Sequence, residues 1–435
     1  MFGVALSDSG CHLATCGASK FVNIFDIKSG AEVFRRSVGD RVRSIALSKT
    51  GRHCASGSFN GELHCCDVRE GAHLHNFEQS DVVHCVALDG AGNYLAVGCS
   101  DGSVRCYGLS ASNRDTAVHR RKSLGPLNSA GGALWVHKHD AKVWVVALSP
   151  SGEWLAAGDY ADVVRVYRAR KEGQLVWEKT TWATSNTTPY TWGLAFSADS
   201  GTLAIGHWDC WAYAIDTATW TERARARRGG AVYSVSLDAT GRRLAVGGRD
   251  KTAAVYDIGA PPHHHEHVHH RRGIVAAGAG KADKSVALTT KGNGRKDQSK
   301  SKGDSFVVVT AVSEMSIGAF VYSLELTRDG RHLAVGTDDL GIALFSVAKR
   351  ERVVHLPYHG VVASIALSPD GRYLAVGGEE HAVTVWRLGN YEHEANENPE
   401  RVLVLPRAGN SVSSVCFSDA RCERAKRFFR EWLIF

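Results

Sequence analysis

Two concentrations of side chains in this 435-residue chain are able to do chemistry. Nine of the eleven tryptophans fall between residues 135 and 220, and six histidines with one glutamate crowd into residues 263–270. Imidazoles ligate Zn²⁺, Cu²⁺ and Ni²⁺, which makes His263, His265, His267 and His269 the weak candidates for a metal site. Such a site also needs partners that orient each ring, and a low-complexity tract does not specify them. The expectation is a solvated loop with no metal and no cofactor. Tryptophan brings large desolvatable area with a polar handle, the combination enriched at binding hot spots. Acidic and amide side chains recur at fixed phases, as Asp26, Asp67, Asp216 and Asp257 and again as Asn60, Asp101, Asp250, Asp339 and Glu380. Catalytic residues are singular, whereas side chains that bond nearby backbone N–H groups recur with each turn. No catalytic residue is expected from this pattern.

The elements that must position these residues follow from composition and spacing. At 44% hydrophobic, 22% charged and 9% aromatic, the chain has the profile of a globular protein with a large core. No run of about 18 apolar residues exists, so no membrane span is expected, and the opening stretch lacks the charged and apolar regions of a signal peptide. Eleven cysteines at irregular spacing do not form a disulfide framework, which points to a reducing compartment, cytosol or nucleus. The net charge of +7 is local: residues 271–304 carry +6 and residues 421–431 carry +3, leaving −2 for the remainder.

One pattern returns along the chain: an apolar alternation, a Gly turn, Leu-Ala-x-Gly, a polar turn, and a second alternation. It reads VHCVALDGAGNYLAVGCSDGSVRCY at 83–107 and VASIALSPDGRYLAVGGEEHAVTVW at 362–386. Its second glycine falls at Gly17, Gly57, Gly98, Gly158, Gly206, Gly247, Gly336 and Gly377, a base period near 41 with three insertions. Each unit holds three short period-2 strands followed by a fourth apolar segment. Four antiparallel strands cannot cover their own two faces, and radial stacking of the units buries them.

The chain resembles the WD40 repeat family, most clearly at the Ser-Pro-Asp-Gly turn of 368–371 and the recurrent turn glycines. The family's Gly-His and Trp-Asp dipeptides occur literally only at 206–209, out of phase, so the repeats are degenerate. The resemblance implies an all-β propeller of four-stranded antiparallel blades, about eight of them, or seven with an extra unit. The expected layout is blades one to six over 1–258, a His-rich then basic disordered insert over 259–304, blades seven and eight plus an extra strand over 305–419, and a basic tail over 420–435. The 89-residue gap also leaves room for a degenerate ninth unit near 306–312.

In such a blade the residue one in from the start of the first strand stands at the rim of one face. Down the units this column reads Phe2, Arg43, His84, Trp144, Trp192, Tyr233, Tyr322, Ala363 and Ser413. Trp182, Trp208, Tyr160 and Tyr190 map to loops on the same face. The candidate partner-binding set is therefore Arg43, His84, Trp144, Tyr160, Trp182, Tyr190, Trp192, Trp208 and Tyr233, with an aromatic patch on blades four and five. This predicts a non-catalytic interaction scaffold that binds a peptide or partner domain. Two other readings remain open: a nucleic-acid- or chromatin-associated scaffold tethered non-specifically by 271–304, and a propeller enzyme. An enzyme would show a deep pocket holding a carboxylate or histidine with a strongly shifted pKa.

Overall fold

The structure, a computed structural model, describes residues 3–109, 132–180, 190–259, 307–368, 370–378, 383–388 and 399–405. The described residues form eight four-stranded antiparallel blades, one of them extended by a short fifth strand, each running in chain order from its first strand to its fourth. The first strands are Gly3–Leu6, Val42–Leu47, Val83–Leu88, Val143–Leu148, Thr191–Phe196, Val232–Leu237, Val321–Leu326 and Val362–Leu367. Each touches the first strand of the next blade, and the last touches the first, so eight blades close around a central channel.

Burial follows radial position. Second strands such as Tyr94–Cys99 and Thr202–His207 are buried along their whole length, because a neighbouring blade covers each face. That is why Leu-Ala-x-Gly reads as a continuous apolar run rather than an alternation. Outermost strands are covered on one face only, and Glu32–Ser37 alternates between exposed and half-buried residues. The turn after each first strand is built the same way eight times. Ser7, Ser48, Asp89, Ser149, Ser197, Asp238, Thr327 and Ser368 each accept, through a side-chain oxygen, the N–H of the residue five positions on. The glycine within it, Gly51 at φ 68° for example, takes a left-handed conformation that a Cβ disfavours.

Neighbouring first strands are stitched by side chains. Ser44 accepts the Val86 N–H, Ser234 that of Leu324, Ser236 that of Leu326 and Ser323 that of Ile365, all at 3.1 Å. Ring closure uses packing: Val4, Leu13, Phe25 and Ile27 of blade one share a core with Ala375, Val383, Val385 and Leu403 of blade eight. Among the described residues, no strand from one end of the chain pairs into the sheet of the other.

One expected boundary moves. Blade six does not end at 258: its fourth strand is Ala311–Ser316, paired with Thr252–Asp257, so the insertion lies inside the blade. Val307–Val308 adds to the outer edge of blade five in parallel and Ala311–Ser316 completes blade six, so the described residues 307–316 form no ninth unit. An outer strand with one covered face has too short a signature to be assigned to a blade across so long an insertion. The candidate ligands of the His-rich tract, the basic insert, Trp182, the extra strand at 411–419 and the tail lie outside the described residues.

Candidate functional site

The rim column owes its position to a repeated irregularity. In blade two Val42 pairs with Ser58 and Ser44 with Gly57, so Arg43 is an extra residue without a partner. The same one-residue bulge falls at His84, Trp144, Trp192, Tyr233, Tyr322 and Ala363. A bulge kinks the strand and re-aims the bulged side chain. Seven blades therefore turn the second residue of the first strand to the mouth of the channel, and five of those residues are aromatic rings or imidazole.

The rings meet in a continuous belt. Trp144 lies 5.1 Å from His84, 5.2 Å from Tyr160 and 6.0 Å from Trp192, centroid to centroid. Trp192 continues to Tyr233 at 5.0 Å, and Tyr233 stacks on Tyr322 at 5.5 Å. A second tier from the loops stacks Tyr160 on Tyr190 at 4.7 Å and Tyr190 on Trp208 at 5.0 Å. Arg43 reaches from blade two to lie 4.3 Å over the Trp144 ring. Of the nine candidate residues, eight are gathered in this belt, and Trp182 is outside the described residues. Tyr160 is 37% exposed and the other seven are half-buried, so the mouth presents ring surface to solvent. Burial, with Arg43 and Lys142 nearby, pushes the His84 pKa down to about 4, so the imidazole is neutral at physiological pH.

Four segments, 71–108, 134–168, 224–257 and 350–387, match the family described as WD40 (WD domain, G-beta repeat). Each segment spans the outer strand of one blade and the first three strands of the next. Four WD40 repeats therefore lie within the eight-bladed propeller. A solved chain described as belonging to the crystal structure of the mitotic checkpoint complex superposes with a TM-score of 0.53 at 16% identity. The match covers 80% of this chain and 90% of that one, and at such identity it speaks for the fold alone. No protein of curated function matches the chain by sequence.

The WD40 repeats are degenerate in their buried polar sets as well. Where the family places a histidine and tryptophan, this propeller pairs Gln79 with Tyr107 at 3.0 Å, His139 with Tyr167 at 3.1 Å, and Arg228 with Tyr256 at 2.8 Å. The recurrent acids do turn chemistry: Asp67, Asp101 and Asp216 each accept one or more N–H groups of the next three residues. The literal Gly-His-Trp-Asp of 206–209, set aside as out of phase, is a structural part of the belt. His207 is enclosed between Asp162 at 2.6 Å and Asp209 at 3.0 Å, which ties the turn carrying Tyr160 to the turn carrying Trp208. Phe59, which Arg43 also faces at 5.7 Å, was not legible because it sits outside the column.

Two features bear on catalysis. Residues 98–102 spell Gly-Cys-Ser-Asp-Gly, and Ser100 Oγ is 2.6 Å from His84 Nε2. The string lies at a strand-to-strand turn, and His84 is too weak a base with no carboxylate on its Nδ1. At the opposite end of the channel a cavity of about 440 Å³ is lined by Asp8, Lys49, Glu325 and Arg328. Glu325 stands where other first strands carry alanine or serine, and burial raises its pKa to about 7. Its hydrogen-bond partner is the Leu367 N–H at 2.6 Å, and no second ionisable group bonds it among the described residues.

Proposed function

We propose that this WD40 propeller is a non-catalytic interaction platform whose channel mouth docks an extended segment of a partner protein. The observation that carries the reading is the unbroken belt from His84 through Trp144, Trp192 and Tyr233 to Tyr322. Aromatic surface left half-exposed at a concave mouth is costly in water and is repaid when a partner covers it. Neither Ser100 nor Glu325 is accompanied by the groups that an acyl-transfer or acid–base mechanism requires, which favours a platform over an enzyme. The nine described cysteines are all unpaired thiols, in keeping with cytosol or nucleus.

The test is affinity purification with mass spectrometry of the wild type and of the Trp144→Ala, Trp192→Ala double variant. A defined set of proteins should be recovered with the wild type and lost with the variant, while the melting temperature changes little. Equal recovery by both would remove the mouth from the account. The basic insert 271–304 supports the competing nucleic-acid reading. On that reading, salt-sensitive binding to nucleic acid disappears when 271–304 is deleted and is indifferent to the two tryptophans.

A further inference from the structure

Arg43 is a half-buried cation without a counter-charge. Its guanidinium lies over Trp144 and Phe59, and among the described residues its N–H groups find no carboxylate and no hydrogen-bond acceptor. Four other sheltered cations of the propeller are matched by a carboxylate: Arg105 with Asp101 at 3.5 Å, Arg165 with Glu178 at 2.7 Å, Lys179 with Glu222 at 2.9 Å and Arg228 with Asp250 at 2.9 Å. Shielding a charge from water without a partner is expensive, so an unmatched guanidinium 4.3 Å over a ring is suited to receiving an anion.

The belt that Arg43 joins also carries phenol hydroxyls. The hydroxyls of Tyr160, Tyr190, Tyr233 and Tyr322 have no hydrogen-bond partner among the described residues. His84 Nδ1 is buried and unpartnered, and Ser100 Oγ lies 2.6 Å from its Nε2. Lys142 adds positive potential on the same side and Asp81 opposes it, both acting on His84. One guanidinium among phenols and a neutral imidazole suits a monoanion. A phosphate dianion is ordinarily met by a cluster of arginines.

Building on the docking reading above, we infer that the mouth recognises an aspartate or glutamate side chain, flanked by apolar residues, in an extended segment of a partner protein. Arg43 takes the carboxylate through two parallel N–H···O bonds, the geometry that a planar guanidinium offers and a lysine does not. The Tyr160 hydroxyl beside Trp144 adds to its shell, and Trp144, Trp192 and Trp208 cover the apolar flanks.

A phage-displayed library of random 12-residue peptides, selected against the full chain and against its Arg43→Gln and Trp144→Ala, Trp192→Ala variants, tests this. Wild-type binders should share an acidic position beside apolar residues, and binders selected on R43Q should keep the apolar residues without the acid. A synthetic wild-type binder in which that acid is replaced by its amide should lose about tenfold or more in affinity for the wild type and none for R43Q. R43Q should melt close to the wild type, since it loses the ring contacts of Arg43 but no ion pair. An acid-free consensus, or an equal loss on both proteins, overturns the carboxylate inference and leaves the docking reading standing. Undiminished binding of the selected peptides to the double tryptophan variant overturns the docking reading itself.

Discussion

The tightest polar arrangement near the mouth is His207 between Asp162 and Asp209, with the Tyr213 hydroxyl donating to the far oxygen of Asp209 at 2.8 Å. Burial alone would lower the His207 pKa, but the two carboxylates together outweigh it and raise the pKa above the usual value. A pKa raised in the folded state means that protonation favours folding. The stabilisation is complete below about pH 6.5 and declines as pH rises through the folded-state pKa. His207→Gln should therefore cost about 2 kcal/mol near pH 6 and distinctly less at pH 9, read as a melting-temperature difference at the two values. A pH-independent difference would mean that His207 acts by shape rather than charge. Because Asp162 and Asp209 lie on turns beside Tyr160 and Trp208, the same variant should weaken partner capture most near pH 6, where the charged tie it removes is strongest, and least at pH 9. The dipeptides at 206–209 were visible in the sequence, yet their chemistry was not, since the second carboxylate comes from another blade 45 residues away.

At the scale of strands, the repeated glycine of Leu-Ala-x-Gly is where one blade accepts the next. A methyl group at Gly57 would sit 2.2 Å from Val83 Cγ1, and one at Gly247 would sit 2.5 Å from Val321 Cγ1. At Gly57, Gly98, Gly158, Gly206, Gly247 and Gly336 the first residue of the following first strand occupies space that the glycine leaves free. Gly57→Ala should destabilise the protein by about 1–3 kcal/mol through overpacking, and adding Val83→Ala should recover part of that loss. Additive losses in a denaturation series would show that the two sites do not share a contact. The alternation and the glycines were enough to read eight units, because both-face burial leaves a strong imprint on second strands. The bulges left no such imprint. An extra residue in a first strand changes the register without changing the apolar pattern around it, so the column was readable while the reason for its direction was not. Blade six shows the opposite limit, since Ala311–Ser316 belongs to a sheet whose other strands lie before the insertion.

At the scale of the whole molecule, seven of the eight blade contacts are also tied by the chain, and the contact between blades one and eight relies on packing among the described residues. That seam should open first. Amides of Val362–Leu367 and Gly3–Leu6 should exchange with deuterium sooner than those of Val143–Leu148. Uniform protection around the ring would show that closure is as strong as any other contact. Phe25, at 4% exposure in the seam core, gives a second handle. Phe25→Ala should cost about 3–5 kcal/mol and widen the exchange difference. The ring itself serves the mouth. Eight first strands around one channel place each ring from blades three to seven 5.0–6.0 Å from the next, within the spacing of roughly 4.5–7 Å at which aromatic pairs attract. No single blade could present such a surface.

The central claim is that partners bind at the aromatic mouth of the channel. Hydrogen exchange of the full chain, alone and saturated with the partner it captures, tests that most directly. Slowed exchange should concentrate at residues 42–44, 143–145, 191–193 and 232–234, where the bulges turn side chains toward the mouth. Protection confined to the outer strands, or to the serine-capped turns at the other end of the channel, with the mouth unchanged, would contradict the account.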